Sequence, residues 1–429
     1  MRRARPRLAL CLLAALAACG GEEFEYLGTP GTPVAAAFDQ VVPTVTARVD
    51  VDGDGRERVF LCDTGAPFTV LDATAFPTLG DGKHDVDLDA FALSFPGYGV
   101  AHFDLFGGAG GLDGIIGGDL LRHFAFALDY KGGRTWLFDP FDPLALPPEV
   151  AGEVAALAGV PITVEGGGLS LLPGDCPPAP FCGTVTVPAT RIIARARFEG
   201  QADPVWVMVD TGASAIVLSD GLHAALGDAA GRPRLDGIPV QTVYGTEEAF
   251  LTRVWRVSLG GAGDADPSVP LDDVPVLVIP GNDLLAQLGA EVGMDVQALV
   301  GGMMLRHYFT VIDYPARQLR LAPYTAPTHI DPGEFVGLGF DLAPFGDEWQ
   351  VVSVSPGTDA RAKDVRVDDV VEEIAAVALR GQPPSFVEDQ LAAYAVGQAV
   401  PLGIRHPGGQ VEQKMILIED LLPSYPPPP

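Results

Sequence analysis

Short apolar runs, each cut off by Gly, Pro or Asp, recur through the first third of the chain at residues 42–49, 59–61, 68–71, 90–95 and 101–106. Runs of that length between turn residues read as strands rather than helices. Helical spacing is confined to brief stretches at 120–124, 150–158, near 280–297 and at 385–395. Alternating sequence around a glycine at 239–250 predicts a β-hairpin. The pattern predicts an all-β protein with a mixed β/α segment at its end.

The apolar runs repeat as a unit. Val59-Phe60-Leu61-Cys62-Asp63-Thr64-Gly65-Ala66 returns as Trp206-Val207-Met208-Val209-Asp210-Thr211-Gly212-Ala213, 147 residues on. Ile116-Gly117-Gly118-Asp119-Leu120-Leu121-Arg122-His123-Phe124 returns as Val300-Gly301-Gly302-Met303-Met304-Leu305-Arg306-His307-Tyr308, and Asp129-Tyr130 as Asp313-Tyr314. Here the spacing is 184 residues, so the second copy carries 37 extra residues between its landmarks. Setting 93–97 against 257–261 divides that insertion around a middle landmark, with the 239–250 hairpin before it and a helix after it. Two matched landmarks make this an internal duplication.

Composition narrows the partners. A formal charge of −29 without a compensating basic run makes nucleic acid and anionic membrane surfaces poor ligands. The chain opens on Arg2, Arg3, Arg5 and Arg7 before an apolar stretch at 8–18, the form of an export signal. Leu16-Ala17-Ala18-Cys19 resembles a bacterial lipobox, which implies cleavage before Cys19 and lipid on its thiol and new amino group. Gly20 after the cysteine adds the expectation of outer-membrane sorting, facing the periplasm or the cell surface. Cys176 and Cys182 could close a small disulfide loop in such a compartment, and Cys62 reads as a small core residue. No metal-ligand spacing or cofactor fingerprint is present; 107–111 lacks the lysine of a phosphate loop, and 52–55 reads as a turn rather than a calcium loop.

The paired Asp-Thr-Gly motifs, followed by Ile115-Ile116-Gly117 and Leu299-Val300-Gly301, resemble those of the aspartic peptidases. The short units are similar to the retropepsin-like branch, with two units fused in one chain as in pepsin. The resemblance spans about residues 40–325 and implies two pseudo-twofold β lobes with a site where they meet. It implies that Asp63 and Asp210 are catalytic, that Thr64 and Thr211 brace the two loops, and that Gly65 and Gly212 leave room for water and substrate. Tyr244 and Gly245 are the flap candidates, and the first copy is too short at the corresponding place for a second flap. Ala66 and Ala213 stand where many members carry a hydroxyl, which implies a raised operating pH.

The remainder resembles a PDZ domain: Gly337-Leu338-Gly339-Phe340 matches its carboxylate-binding loop, and Val354-Ser355-Pro356-Gly357-Thr358-Asp359-Ala360 a later turn. Asp368-Asp369 departs from the usual glycine–aspartate pair. The expected division is a signal peptide at 1–18, a tether at 19–39, lobes at 40–145 and 189–325 joined by a linker at 146–188, the PDZ-like domain at 330–420 and a proline-rich tail at 421–429. The expected activity is that of an envelope-anchored aspartic endopeptidase that needs no cofactor. Its partners are a peptide or protein substrate, a peptide C-terminus at the PDZ-like domain, and the membrane through lipid. The alternative is a catalytically inactive protein of the same fold that binds peptides.

Overall fold

The computed structural model describes residues 24–38, 44–104, 112–170, 184–227, 232–242, 245–261, 267–325 and 335–425. Strands dominate, so the protein is all-β. The chain forms two compact units, one drawn from 1–226, 256–274 and 281–329, the other from 227–255, 275–280 and 330–429.

In the first unit the two repeats are built alike. Strand Arg58–Cys62 lies parallel to Gly114–Ile116, with Cys62 level with Ile116. Strand Val205–Val209 lies parallel to Val296–Val300, with Val209 level with Val300. The apolar-apolar-glycine motif is thus the strand that flanks each aspartate loop. Each flanking strand ends in one turn of helix, Gly118–Leu121 or Gly302–Leu305. Gly301 and Gly117 admit no side chain, since a β-carbon would overlap the backbone of Ala213 or Phe68.

The repeats meet through their Asp-Tyr strands. Ala125–Asp129 pairs antiparallel with Tyr308–Asp313, from Phe309 opposite Asp129 to Asp313 opposite Ala125. Arg134–Phe138 and Gln318–Pro323 flank that pair. Ala125, Ala127, Trp136, Phe309, Val311 and Ala322 pack on one face as a shared core. Asp129 is buried and receives Arg134 at 2.6 Å and the Tyr324 hydroxyl at 2.9 Å; Asp313 faces Arg320 at 3.5 Å in the other copy.

Pairing corrects two expectations. Val49–Val51 pairs with Leu88–Ala90, whereas Ala196–Phe198 pairs with Val257–Leu259. The counterpart of 257–259 is therefore 88–90, not 93–95. The stretch 146–188 is not simply a linker. Ala158–Pro161 pairs with Gln318–Pro323, and Thr163–Ser170 pairs with Thr184–Phe198 through Ser170 opposite Thr184. Between Val70–Asp72 and Gly82–Ala90 the first repeat has turns only. The helix expected near 280–297 is Leu284–Val292, ended by Gly293 in the left-handed region.

The second unit joins a hairpin of the second repeat to the C-terminal segment. Arg234–Thr242 pairs with Gly245–Gly260 up to Thr242 opposite Gly245. The C-terminal sheet runs Phe340–Phe345, Glu348–Val354, Val370–Ile374, Ala399–Arg405 and Val411–Leu417, with Val377–Ala378 on Val370–Ile374. Helix Pro384–Ala392 adds Val387 to its core of Trp349, Val351, Ile374, Leu402 and Ile404. The hairpin is held to this segment by Arg253, which is fully buried. Its Nε donates to the Leu422 carbonyl at 2.9 Å, and its guanidinium lies 5.4 Å from the Phe335 ring. Arg232 sits over Tyr425 at 4.8 Å.

Candidate active site

Each aspartate begins as the residue after an apolar strand. The Asp63 amide donates to the Ile116 carbonyl and the Asp210 amide to the Val300 carbonyl, both at 3.0 Å, which holds the loop at its flanking strand. Beyond the aspartate the chain turns sharply enough for its own carboxylate to accept two amides. Asp63 Oδ1 receives Gly65 N at 2.7 Å and Ala66 N at 3.0 Å; Asp210 Oδ1 receives Gly212 N at 2.8 Å and Ala213 N at 3.2 Å. At the two alanine positions the backbone amide serves as donor.

The two loops are locked to one another. Thr64 N donates to Thr211 Oγ1 and Thr211 N to Thr64 Oγ1, both at 3.1 Å. Thr64 Oγ1 donates to the Val209 carbonyl at 3.1 Å and Thr211 Oγ1 to the Cys62 carbonyl at 2.6 Å. Both threonines are 0% exposed, so these four bonds have no competing water. The glycines serve a closer approach than the sequence conveys. A β-carbon on Gly65 would overlap the Asp210 carboxylate, and one on Gly212 would overlap that of Asp63. Each glycine makes room for the aspartate of the opposite repeat.

That proximity governs the charge. Burial, then the Asp210 charge and a hydrogen bond with it, hold the Asp63 carboxyl well above the usual carboxylate range, against the Gly65 amide and the Arg191 charge. Two adjacent carboxyls resist double ionisation and titrate as a pair. Cys62 is buried and unpaired, with its thiol pushed up chiefly by burial and then by Asp63, so it is poorly suited to nucleophilic attack. Tyr314 is pushed up by burial and then by the charges of both aspartates, which places the repeated tyrosine in the field of the pair. His123 stacks on Phe24 at 3.7 Å and is depressed to about 4, first by burial and then by Arg122. Among the described residues no group of three His, Cys, Asp or Glu could hold a metal.

In the second unit Gly337, Leu338 and Phe340 line a groove with Asp341, Leu342, Trp349 and two helix residues, Val387 and Leu391. Gly339 lies in the left-handed region, and a β-carbon there would overlap Thr358. Val387 and Leu391 were not singled out in the sequence, where their helix shows only as an amphipathic stretch. Gly245 starts the second hairpin strand. Tyr244, Cys19, Cys176 and Cys182 lie outside the described residues.

Residues 194–300 match the family described as aspartyl protease. No curated protein matches the chain. Among solved structures, the crystal structure of aspartic proteinase from Irpex lacteus is similar at 14% identity and a TM-score of 0.39, covering 70% of this chain and 98% of that one. The chain thus has similarity to aspartyl proteases across the part of its second repeat that contains Asp210, Thr211 and Gly212.

Proposed function

We propose that the protein is an aspartic endopeptidase with Asp63 and Asp210 as its catalytic pair. The observation that carries this reading is the reciprocal loop arrangement, in which buried threonine bonds lock the two loops and each carboxylate lies against the glycine of the opposite repeat. A singly ionised pair suits peptide hydrolysis. The ionised carboxylate takes a proton from water as its oxygen attacks the peptide carbonyl, while the protonated carboxyl donates to the developing oxyanion. Collapse breaks the C–N bond, the amine leaves with a proton, and the carboxyl product forms. The pair returns to one shared proton.

The same proposal covers the rest of the chain. Cys19 is the lipid attachment site, and the protein faces the periplasm or the cell surface from the outer membrane. The hairpin with Tyr244 and Gly245 acts as a flap. The C-terminal segment is a PDZ-like module that takes a peptide C-terminus between strand Phe340–Phe345 and helix Pro384–Ala392, a reading supported by the groove those elements line. A non-catalytic peptide-binding role is the second reading, favoured by the lack of a hairpin between Val70–Asp72 and Gly82–Ala90 among the described residues.

The test is cleavage of a diverse peptide library from acid to neutral pH by protein lacking residues 1–19, beside Asp63→Asn and Asp210→Asn. Cleavage by wild type that is lost in both variants supports the paired mechanism. Cleavage that survives either substitution overturns it. No cleavage by folded wild type at any pH favours the binding role.

A further inference from the structure

Antiparallel pairing of Thr184–Phe198 with Val205–Val209 sets Ile192 opposite Val209. One step further brings Arg191 level with Asp210. In the first repeat the residue equivalent to Arg191, 147 positions earlier, is Thr44. The two repeats therefore differ in charge beside otherwise equivalent aspartates: a guanidinium in one, a hydroxyl in the other.

Arg191 is built in. It is 8% exposed, its Nη2 donates to Glu291 Oε2 at 2.8 Å, and its buried Nε has no acceptor among the described residues. Glu291 belongs to helix Leu284–Val292, part of the insertion that enlarges the second repeat. The groups around the pair are Asp63, Asp210, Cys62, Tyr130, Tyr314 and Arg191 with Glu291 behind it. Cys62, Tyr130 and Tyr314 are all pushed upward by burial and stay neutral, which leaves Arg191 as the cation of the set.

We propose that Arg191 is a positioning residue whose buried cation breaks the symmetry of the duplicated site and keeps the aspartate pair singly ionised into more acidic solution. Two equal carboxyls sharing a proton have no preferred arrangement. A cation set beside one repeat favours negative charge there and opposes protonation of the second carboxyl. Its charge acts to lower Asp63, against burial and Asp210. The inserted helix thereby serves the site by fixing that cation through Glu291.

The inference rests on the peptidase reading, and its test separates the two. Replacing Arg191 alone would strand a buried Glu291 carboxylate, so the informative variant is Arg191→Gln with Glu291→Gln, beside Arg191→Lys. The acid limb of kcat/KM on a peptide that wild type cleaves should rise in the double variant by up to about one pH unit, the shift typical of losing one nearby opposite charge, less the part that Glu291 already offsets. Arg191→Lys should keep the limb near that of wild type. A limb unmoved in the double variant overturns the proposal, even if kcat falls. Titration of the aspartate carboxyls by ¹³C NMR reads the same shift without turnover. If wild type cleaves nothing, the peptidase reading fails, and the carboxyl titration alone decides the role of Arg191.

Discussion

Gly65 and Asp210 come from different repeats, yet a β-carbon on the glycine would occupy the space of the carboxylate. The relation holds in reverse for Gly212 and Asp63. The tripeptide is therefore a device for bringing two acids together, and each half is complete only in the presence of the other. Gly65→Ala or Gly212→Ala should destabilise the first unit by about 1–3 kcal/mol, the usual range for overpacking. Either should cut peptide hydrolysis by at least about a hundredfold, as expected when catalytic groups shift by an ångström. Thermal melts and kcat/KM on one peptide check both effects.

Thr64 and Thr211 each accept one amide and donate to one carbonyl of the opposite loop. Valine keeps their shape and strands those buried groups. Thr64→Val and Thr211→Val should each cost about 1–3 kcal/mol. Each hydroxyl makes its own two bonds, yet both hold the same pair of loops, so the double variant should cost less than the sum of the two once either change has loosened that pair. Serine at either position should recover most of the loss. Denaturant unfolding of the four proteins measures the coupling.

Asp63 has a raised carboxyl in the folded protein. The folded state then binds its proton more tightly than the unfolded chain does. The resulting stability is fully present below the unfolded pKa and is lost as pH rises through the folded value. Asp63→Asn, which cannot ionise, should melt higher than wild type at neutral pH, with the gap closing in acid. Each unit by which the folded value is raised corresponds to about 1.4 kcal/mol of that gap. Calorimetry from pH 4 to pH 8 is the measurement.

Asp129 is buried at the strand pair that joins the repeats and is held by Arg134 through both Nε and Nη2. Arg134→Gln leaves a buried carboxylate with neutral partners and should cost about 3 kcal/mol. Arg134→Lys should recover only part, because a single ammonium lacks the planar fork. Urea midpoints distinguish these outcomes.

The sequence was most legible where the duplication repeated it. Asp63 and Asp210, their threonines, the flanking strands Gly114–Ile116 and Val296–Val300, and the joining strands all stand at repeated positions. The inserted hairpin and helix were also legible, from alternation around Gly245 and from the longer spacing. Single-copy features were harder to read. Arg191 gives no local signal, because its importance comes from register with Asp210 and from Glu291, which is 100 residues away. The strand Thr163–Ser170 was hidden by glycine and proline nearby, which suggest a linker until its partner strand is known. The role of the two glycines was equally concealed, since what they accommodate lies in the other repeat.

Arg253 gives the chain an unexpected indivisibility. Cutting after residue 325 keeps both repeats, yet it removes Leu422 and Phe335 from a fully buried guanidinium at the base of the 234–260 hairpin. The shortened protein would have to expose that charge to water, and the hairpin would have to reorganise around it. The C-terminal segment is thus a structural partner of the hairpin of the second repeat.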